Sequence, residues 1–137
     1  MLDALSHVGV WVHDQDEAKK FYTEKLGFEV REDVTLPELG GYRWLTVGAP
    51  GQPELSFALN VPGPPFDAEL NDGIKKLMAA GVLSGLFFTV DDCKATAESL
   101  KGRGVTLDQE PTQVPYGIEA VLHDPSGNSI RVVQRSI

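Results

Sequence analysis

The sequence holds one cysteine, Cys93, so no disulfide can form within the chain, and the fold must stand on its core alone. That economy fits a reducing compartment. No apolar run approaches the roughly 20 residues needed to cross a bilayer, and the N-terminus MLDALSHVGV lacks a basic region followed by a long apolar stretch. Neither a membrane association nor a secretion signal is expected, and the expected location is cytoplasmic. Basic residues are scarce as well: 12 Lys plus Arg stand against 20 Asp plus Glu, a formal charge of -8, which argues against a phosphate-binding surface and so against nucleic acid as a partner. The pairs Lys19, Lys20 and Lys75, Lys76 fall in expected helices and read as solvated faces.

What is present is ordinary for a globular protein: 137 residues, 42% hydrophobic and 23% charged, enough for one core and too short for two ordinary independent domains. A single domain, 1–137, is the expectation. The segment from about Ala4 to Val12 alternates like a half-buried strand. Asp14 then offers an N-cap, with Ala18, Phe21, Tyr22 and Leu26 on one stripe at helical spacing and Gly27 as the stop. Strands are expected over Phe28 to Arg31, Tyr42 to Val47 and Glu54 to Leu59, parted by the turn-rich LPELGG and GAPGQP. The first half, 1–60, therefore reads βαβββ.

A connector, 61–82, carries an expected helix around Ile74 to Ala80. The second half, 83–137, then repeats the course: a strand over Gly85 to Val90, a cap at Asp91 or Asp92, and a helix bearing Cys93, Ala97 and Leu100 that Gly104 stops. Strands follow near Val105 to Leu107, Ile118 to Leu122 and Ile130 to Gln134, with DPSGN as the turn before the last. Laying Val12 on Val90 puts His7 on Gly85 and Asp14 on Asp92, and one single-residue gap brings Gly27 to Gly104. The chain is thus an internal repeat of two βαβββ units in an α+β fold, expected to form a curved mixed sheet around a cleft, with function on inward-facing strand positions.

The run HVGVWVHDQDEAKKFYTEKLGFEV, with its FYxxxLGF segment, and the late run DPSGNSIRVVQ resemble the glyoxalase, bleomycin resistance protein and extradiol dioxygenase group, the vicinal oxygen chelate superfamily. The resemblance covers essentially the whole chain. It implies four strands that each present one metal ligand: His on the first, Glu on the fourth, His on the fifth and Glu on the eighth. His7 matches the first, and Glu54 is the candidate for the fourth, with Ser56 the alternative two residues on. The fifth position falls at Gly85 in GLFFTVDD, and the eighth at Arg131 in GNSIRVVQ, where a guanidinium has no lone pair to give. A divalent ion about 5 Å from that cation would be repelled by roughly 7 kcal/mol at an effective dielectric of about 20. No metal and no cofactor are expected.

Arg131 reads instead as an electrostatic stand-in for the metal, pairing with Glu54 in the empty cleft and offering a fork to a ligand carboxylate, enolate or phenolate. A salt bridge without function accounts for it equally well. Trp11, Trp44, Phe87 and Tyr116 lie on or beside cleft strands, where flat side chains suit a planar ligand; core packing accounts for the first three too, whereas Tyr116 in VPYGIEA sits on a loop next to a glycine. Cys93 falls in the first turn of a helix, beside Asp91 and Asp92, which oppose thiolate formation. His123 and Asp124 adjoin, but no serine or cysteine can be tied to them.

The expected function is a metal-independent small-molecule binder of the bleomycin-resistance type, holding an aromatic or anionic ligand among His7, Trp44, Glu54, Phe87, Tyr116 and Arg131. The alternative is a lyase, isomerase or dioxygenase whose metal is held by His7, Glu54 and further donors such as Glu119 or His123. The resemblance also implies a homodimer.

Overall fold

A computed structural model describes residues 1–83 and 85–136; Ser84 and Ile137, both within the expected second repeat 83–137, lie outside the described residues. The chain divides into two compact units, Met1–Asn71 and Asp72–Ile137.

In the first unit β1 (His7–Trp11) leads to α1 (Gln15–Lys20), which passes into a π-helical turn at Phe21–Lys25. Asp14 caps α1 by accepting the Glu17 N–H at 2.9 Å, and Gly27 exits the turn at φ 74°, where a side chain would be strained. Then come β2 (Glu29–Leu36), a 3-10 turn at Pro37–Leu39, β3 (Tyr42–Gly48) and β4 (Ser56–Asn60), giving a mixed sheet of order β1-β4-β3-β2. β1 and β4 run parallel with His7 opposite Ser56 and Trp11 opposite Asn60.

Strand alternation sends Val10, Leu45, Val47 and Leu59 to the helix side, where they are 2% or less exposed with Tyr22. Full burial of each such side chain is worth about 1.5–3 kcal/mol as an upper estimate. β2 runs through to Leu36, well past the expected Arg31, because it pairs with β3 in register from Val34 opposite Trp44 to Leu36 opposite Tyr42.

α2 (Ala68–Ala80) begins in the first unit and ends in the second. It starts earlier than the expected Ile74 because the Asp67 carboxylate accepts the Leu70 N–H at 2.9 Å.

The second unit repeats the plan with β5 (Gly85–Thr89), α3 (Cys93–Gly102), β6 (Gln109–Val114), β7 (Gly117–His123) and β8 (Ser129–Arg135), in sheet order β5-β8-β7-β6. Asp92 caps α3 by accepting the Ala95 N–H at 3.0 Å, and Gly104 exits at φ 87°. The first parallel pair even keeps its register, Gly85 opposite Ser129. The face bearing Ala120, Leu122, Ile130 and Val132 is buried beside the buried Cys93, Ala97 and Leu100 of α3.

One expected strand is corrected. Val105 to Leu107 is not a strand; the paired element is the polar Gln109–Val114. Val105 is buried as the chain leaves α3, with its N–H bonded to the Leu100 carbonyl at 3.0 Å. Pro111 is tolerated because β6 is an edge strand whose register shifts between Gln109 and Thr112.

Candidate functional site

Each sheet has one face against its helix and one opposite; of the residues singled out from sequence, His7 and Trp44 lie on the first unit's opposite face, and Phe87 and Arg131, with Tyr116 in the adjoining turn, on the second's. In the first unit that face carries His7 and Trp44, whose rings lie 5.3 Å apart at 49°. His7 is exposed and its Nδ1 shares a 2.9 Å hydrogen bond with Ser6 Oγ. Glu54 is corrected: it sits exposed in the turn before β4, and the residue in register with His7 is the buried Ser56. The strand starts at Ser56 because its N–H bonds the Ser6 carbonyl at 2.9 Å.

Thr46 shares this face, since it pairs with Ala58 and Ala58 with Gly9. It is fully buried, and its hydroxyl has no hydrogen-bond partner among the described residues. A cationic cluster lies on the other side. Arg43 forks onto Asp33 at 2.8 and 3.0 Å and reaches Asp16 at 2.7 Å, while Lys19 closes on Asp33 at 2.7 Å. The hydrogen bonds from Arg43 and Lys19 hold the Asp33 carboxyl well below the usual carboxylate range. Gln15 ties this cluster to the sheet through the carbonyls of Arg43 and Leu59.

The second unit places its charge on the face away from α3. Phe87 pairs with Arg131, Arg131 with Val121, and Val133 with Glu119, so Phe87, Arg131, Val133 and Glu119 all project from that face. Arg131 Nη1 donates to Glu119 Oε1 at 2.8 Å, and its guanidinium carbon lies 5.8 Å from the Phe87 ring centroid. The partner of Arg131 is therefore Glu119, a correction of the expected Glu54. Sequence spacing hid this because the pairing runs across β7 and β8. Glu119 is 3% exposed yet fully served, since Tyr116 donates its hydroxyl to Oε2 at 2.6 Å. That bond pushes the Tyr116 phenol up. Tyr116 lies in the β6–β7 turn, as expected, next to Gly117, whose φ of 147° and close approach to the Gln134 carbonyl leave no room for a side chain.

Along the same strand pair, His123 stands opposite Ser129 and shares its Nδ1 with the Asp108 carboxylate at 2.8 and 3.0 Å. Asp124 is instead a buried turn residue whose carboxylate accepts the N–H groups of Ser126 and Asn128, each at 2.9 Å. Cys93 is fully buried, and burial pushes its thiol up, the reverse of a poised nucleophile. A cavity of about 260 Å³ opens beside Phe87, lined also by Thr89, Tyr116, Val133 and Arg135.

These residues do not fit a divalent metal. At the positions where the resemblance places donors, the first unit offers His7 with a neutral hydroxyl, Ser56; the second offers Gly85, without a side chain, and Arg131, a cation. Glu119 is committed to Arg131 and Tyr116, and His123 to Asp108. Among the described residues no three His, Cys, Asp or Glu side chains are grouped to hold an ion.

Comparison with known proteins agrees with this architecture. The model of the Glyoxalase/Bleomycin resistance protein/Dioxygenase superfamily matches residues 4–132. The crystal structure of UcmS2 is 47% identical, covers 97% of this chain and 98% of that chain, and superposes with a TM-score of 0.88. TnmS3, an antibiotic binding protein from Streptomyces sp. CB03234, is 32% identical over 98% of both chains, with a TM-score of 0.76. YurT of Bacillus subtilis (strain 168), an uncharacterized protein, is 38% identical over 127 residues, 92% of this chain and 94% of its own.

Proposed function

The chain belongs to the Glyoxalase/Bleomycin resistance protein/Dioxygenase superfamily, and from that premise we propose that it is a metal-independent binding protein that sequesters an aromatic or anionic small molecule. The observation that carries this reading is Arg131, held over the Phe87 ring with a single nitrogen bonded to Glu119. The remaining guanidinium edge is a fork suited to a carboxylate or phenolate, and the exposed Phe87 ring beside it is a platform for the ligand's flat body. His7 and Trp44 offer a second flat surface in the first unit. The antibiotic-binding relative lends support, because it shows that a chain of this length and fold can serve as a binder.

Sequestration needs shape, stacking and one or two polar anchors, all of which are available without an ion. The homodimer implied by the resemblance belongs to the same proposal: each four-stranded sheet ends in two edge strands, β1 and β2 in one and β5 and β6 in the other, and light scattering measures the assembly. No described helix is long and apolar enough to cross a membrane.

The test is titration of the purified chain with planar aromatic carboxylates and phenolates, followed by tryptophan fluorescence and calorimetry, with and without a chelator. Saturable binding that ignores the chelator and weakens about tenfold or more in Arg131→Gln is the expected result. Stoichiometric metal in the purified protein, or binding abolished by the chelator and restored by zinc, would sink the metal-independent reading.

A further inference from the structure

We infer that Arg135 is a second anion anchor, and that the compound taken on the second sheet is a planar aromatic molecule with an acidic group at each end. The inference rests on the binding function proposed above and names the class of ligand. Arg131, Val133 and Arg135 alternate along β8 and so share the face away from α3; four residues at about 3.3 Å each set the two arginine Cα atoms about 13 Å apart.

A cavity lies at the Arg135 end of this stretch, with Phe87, the ring against Arg131, in its wall. The cavity of about 260 Å³ is lined by Phe87, Phe88, Thr89, Tyr116, Val133 and Arg135, so aromatic and aliphatic walls end at a cation. That volume falls just under the roughly 300–1,000 Å³ of sites that enclose a whole drug-sized ligand, and suits one ring system whose polar end reaches the rim. Gly117, opposite Arg135 on β7, contributes no side chain to fill the space beside it.

Charge separates the two anchors. Arg131 is partly balanced by Glu119, whereas the Arg135 side chain makes no hydrogen bond or ion pair among the described residues. Glu119 is a carboxylate that faces this region. At 3% exposure, with one oxygen on Arg131 and the other on the Tyr116 hydroxyl, it is screened from an incoming anion. A second acidic group placed at Arg135 therefore meets a guanidinium with no partner among the described residues, at the end of an apolar cavity. A ligand with one acidic group leaves that charge unused.

The experiment compares biphenyl bearing one para carboxylate with biphenyl bearing one at each end, by calorimetry at low salt. It uses the full chain as wild type, Arg135→Gln, Arg135→Lys and Arg131→Gln. Wild type is expected to favour the diacid by about tenfold, a preference that falls to about twofold or less in Arg135→Gln, is partly kept by Arg135→Lys, and fades as salt rises. Equal affinity of wild type for the two acids, or a diacid preference that survives in Arg135→Gln, would overturn the second anchor while leaving the binding function standing. If wild type binds neither acid, both readings fall. Matched circular dichroism of the variants confirms that they are folded.

Discussion

In the first unit one strand arginine, Arg43, lies on the helix side, where Asp33 and Asp16 occupy its guanidinium; in the second, Arg131 lies on the opposite face with a single carboxylate partner. The first unit's opposite face carries His7 against Trp44, two buried hydroxyl residues, Thr46 and Ser56, and the exposed Glu32, which pairs with Thr46. The two units share caps, glycine exits and the register of their parallel strands, so the backbone plan alone does not select a ligand. What differs is how each strand cation is tied: Arg31 of β2, beside Gly48, is also spent, on the carbonyls of Ala49, Gln52 and Pro53 and on Glu29. A guanidinium tied on three nitrogens beneath a helix is structural, whereas one tied by a single nitrogen beside an exposed ring retains donors for a ligand.

The strongest way to break this contrast is to remove Arg131. Arg131→Met leaves Glu119, 3% exposed, with Tyr116 as its side-chain partner, and is expected to cost about 2 kcal/mol at neutral pH. The figure is below that of a fully buried pair because the arginine side chain is 39% exposed. Urea unfolding measures it, and adding Glu119→Gln should return most of the loss; a single variant as stable as wild type would mean that Glu119 finds other partners.

A smaller effect of opposite sign is expected at Thr46. Its hydroxyl is buried without a partner among the described residues, so the near-isosteric Thr46→Val should stabilise the protein by about 1 kcal/mol. Destabilisation in the same urea assay would show that the hydroxyl is satisfied in solution.

The smallest expected effect sharpens the reading of the first unit's cluster as structural. Asp33 has its folded-state pKa lowered by Arg43 and Lys19, so its stabilisation is present above the unfolded value of about 4 and is lost as pH falls toward the lower folded one. Asp33→Asn should therefore cost about 0.5 kcal/mol at pH 7 and progressively less below pH 4. Melting temperatures of both proteins across that range test it, and a gap that widens on acidification contradicts the assignment.

Much of the fold was legible because local chemistry dictated it. Asp14 and Asp92 had to cap helices, Gly27 and Gly104 had to end them, and the alternation of β3, β7 and β8 declared their faces. β6 was missed because an edge strand pairs on one side and can afford the polar EPTQ sequence with its proline. Among the candidate residues, Arg131, Phe87 and Tyr116 came together, whereas Glu54 stopped short of its strand and Glu119, the carboxylate that organises the second face, had been considered only as a metal donor.

The sequence by itself determined that the chain is an internal repeat, which strand positions share a face, and that Gly85 and Arg131 stand where the resemblance expects metal donors. These follow from residue type and from the period of two that every strand imposes. Only the tertiary structure decided that Arg131 pairs with Glu119, that Tyr116 serves the second oxygen, and that Ser56 stands opposite His7. Pairing across strands depends on register and turn length, and a shift of one residue turns every side chain to the other face.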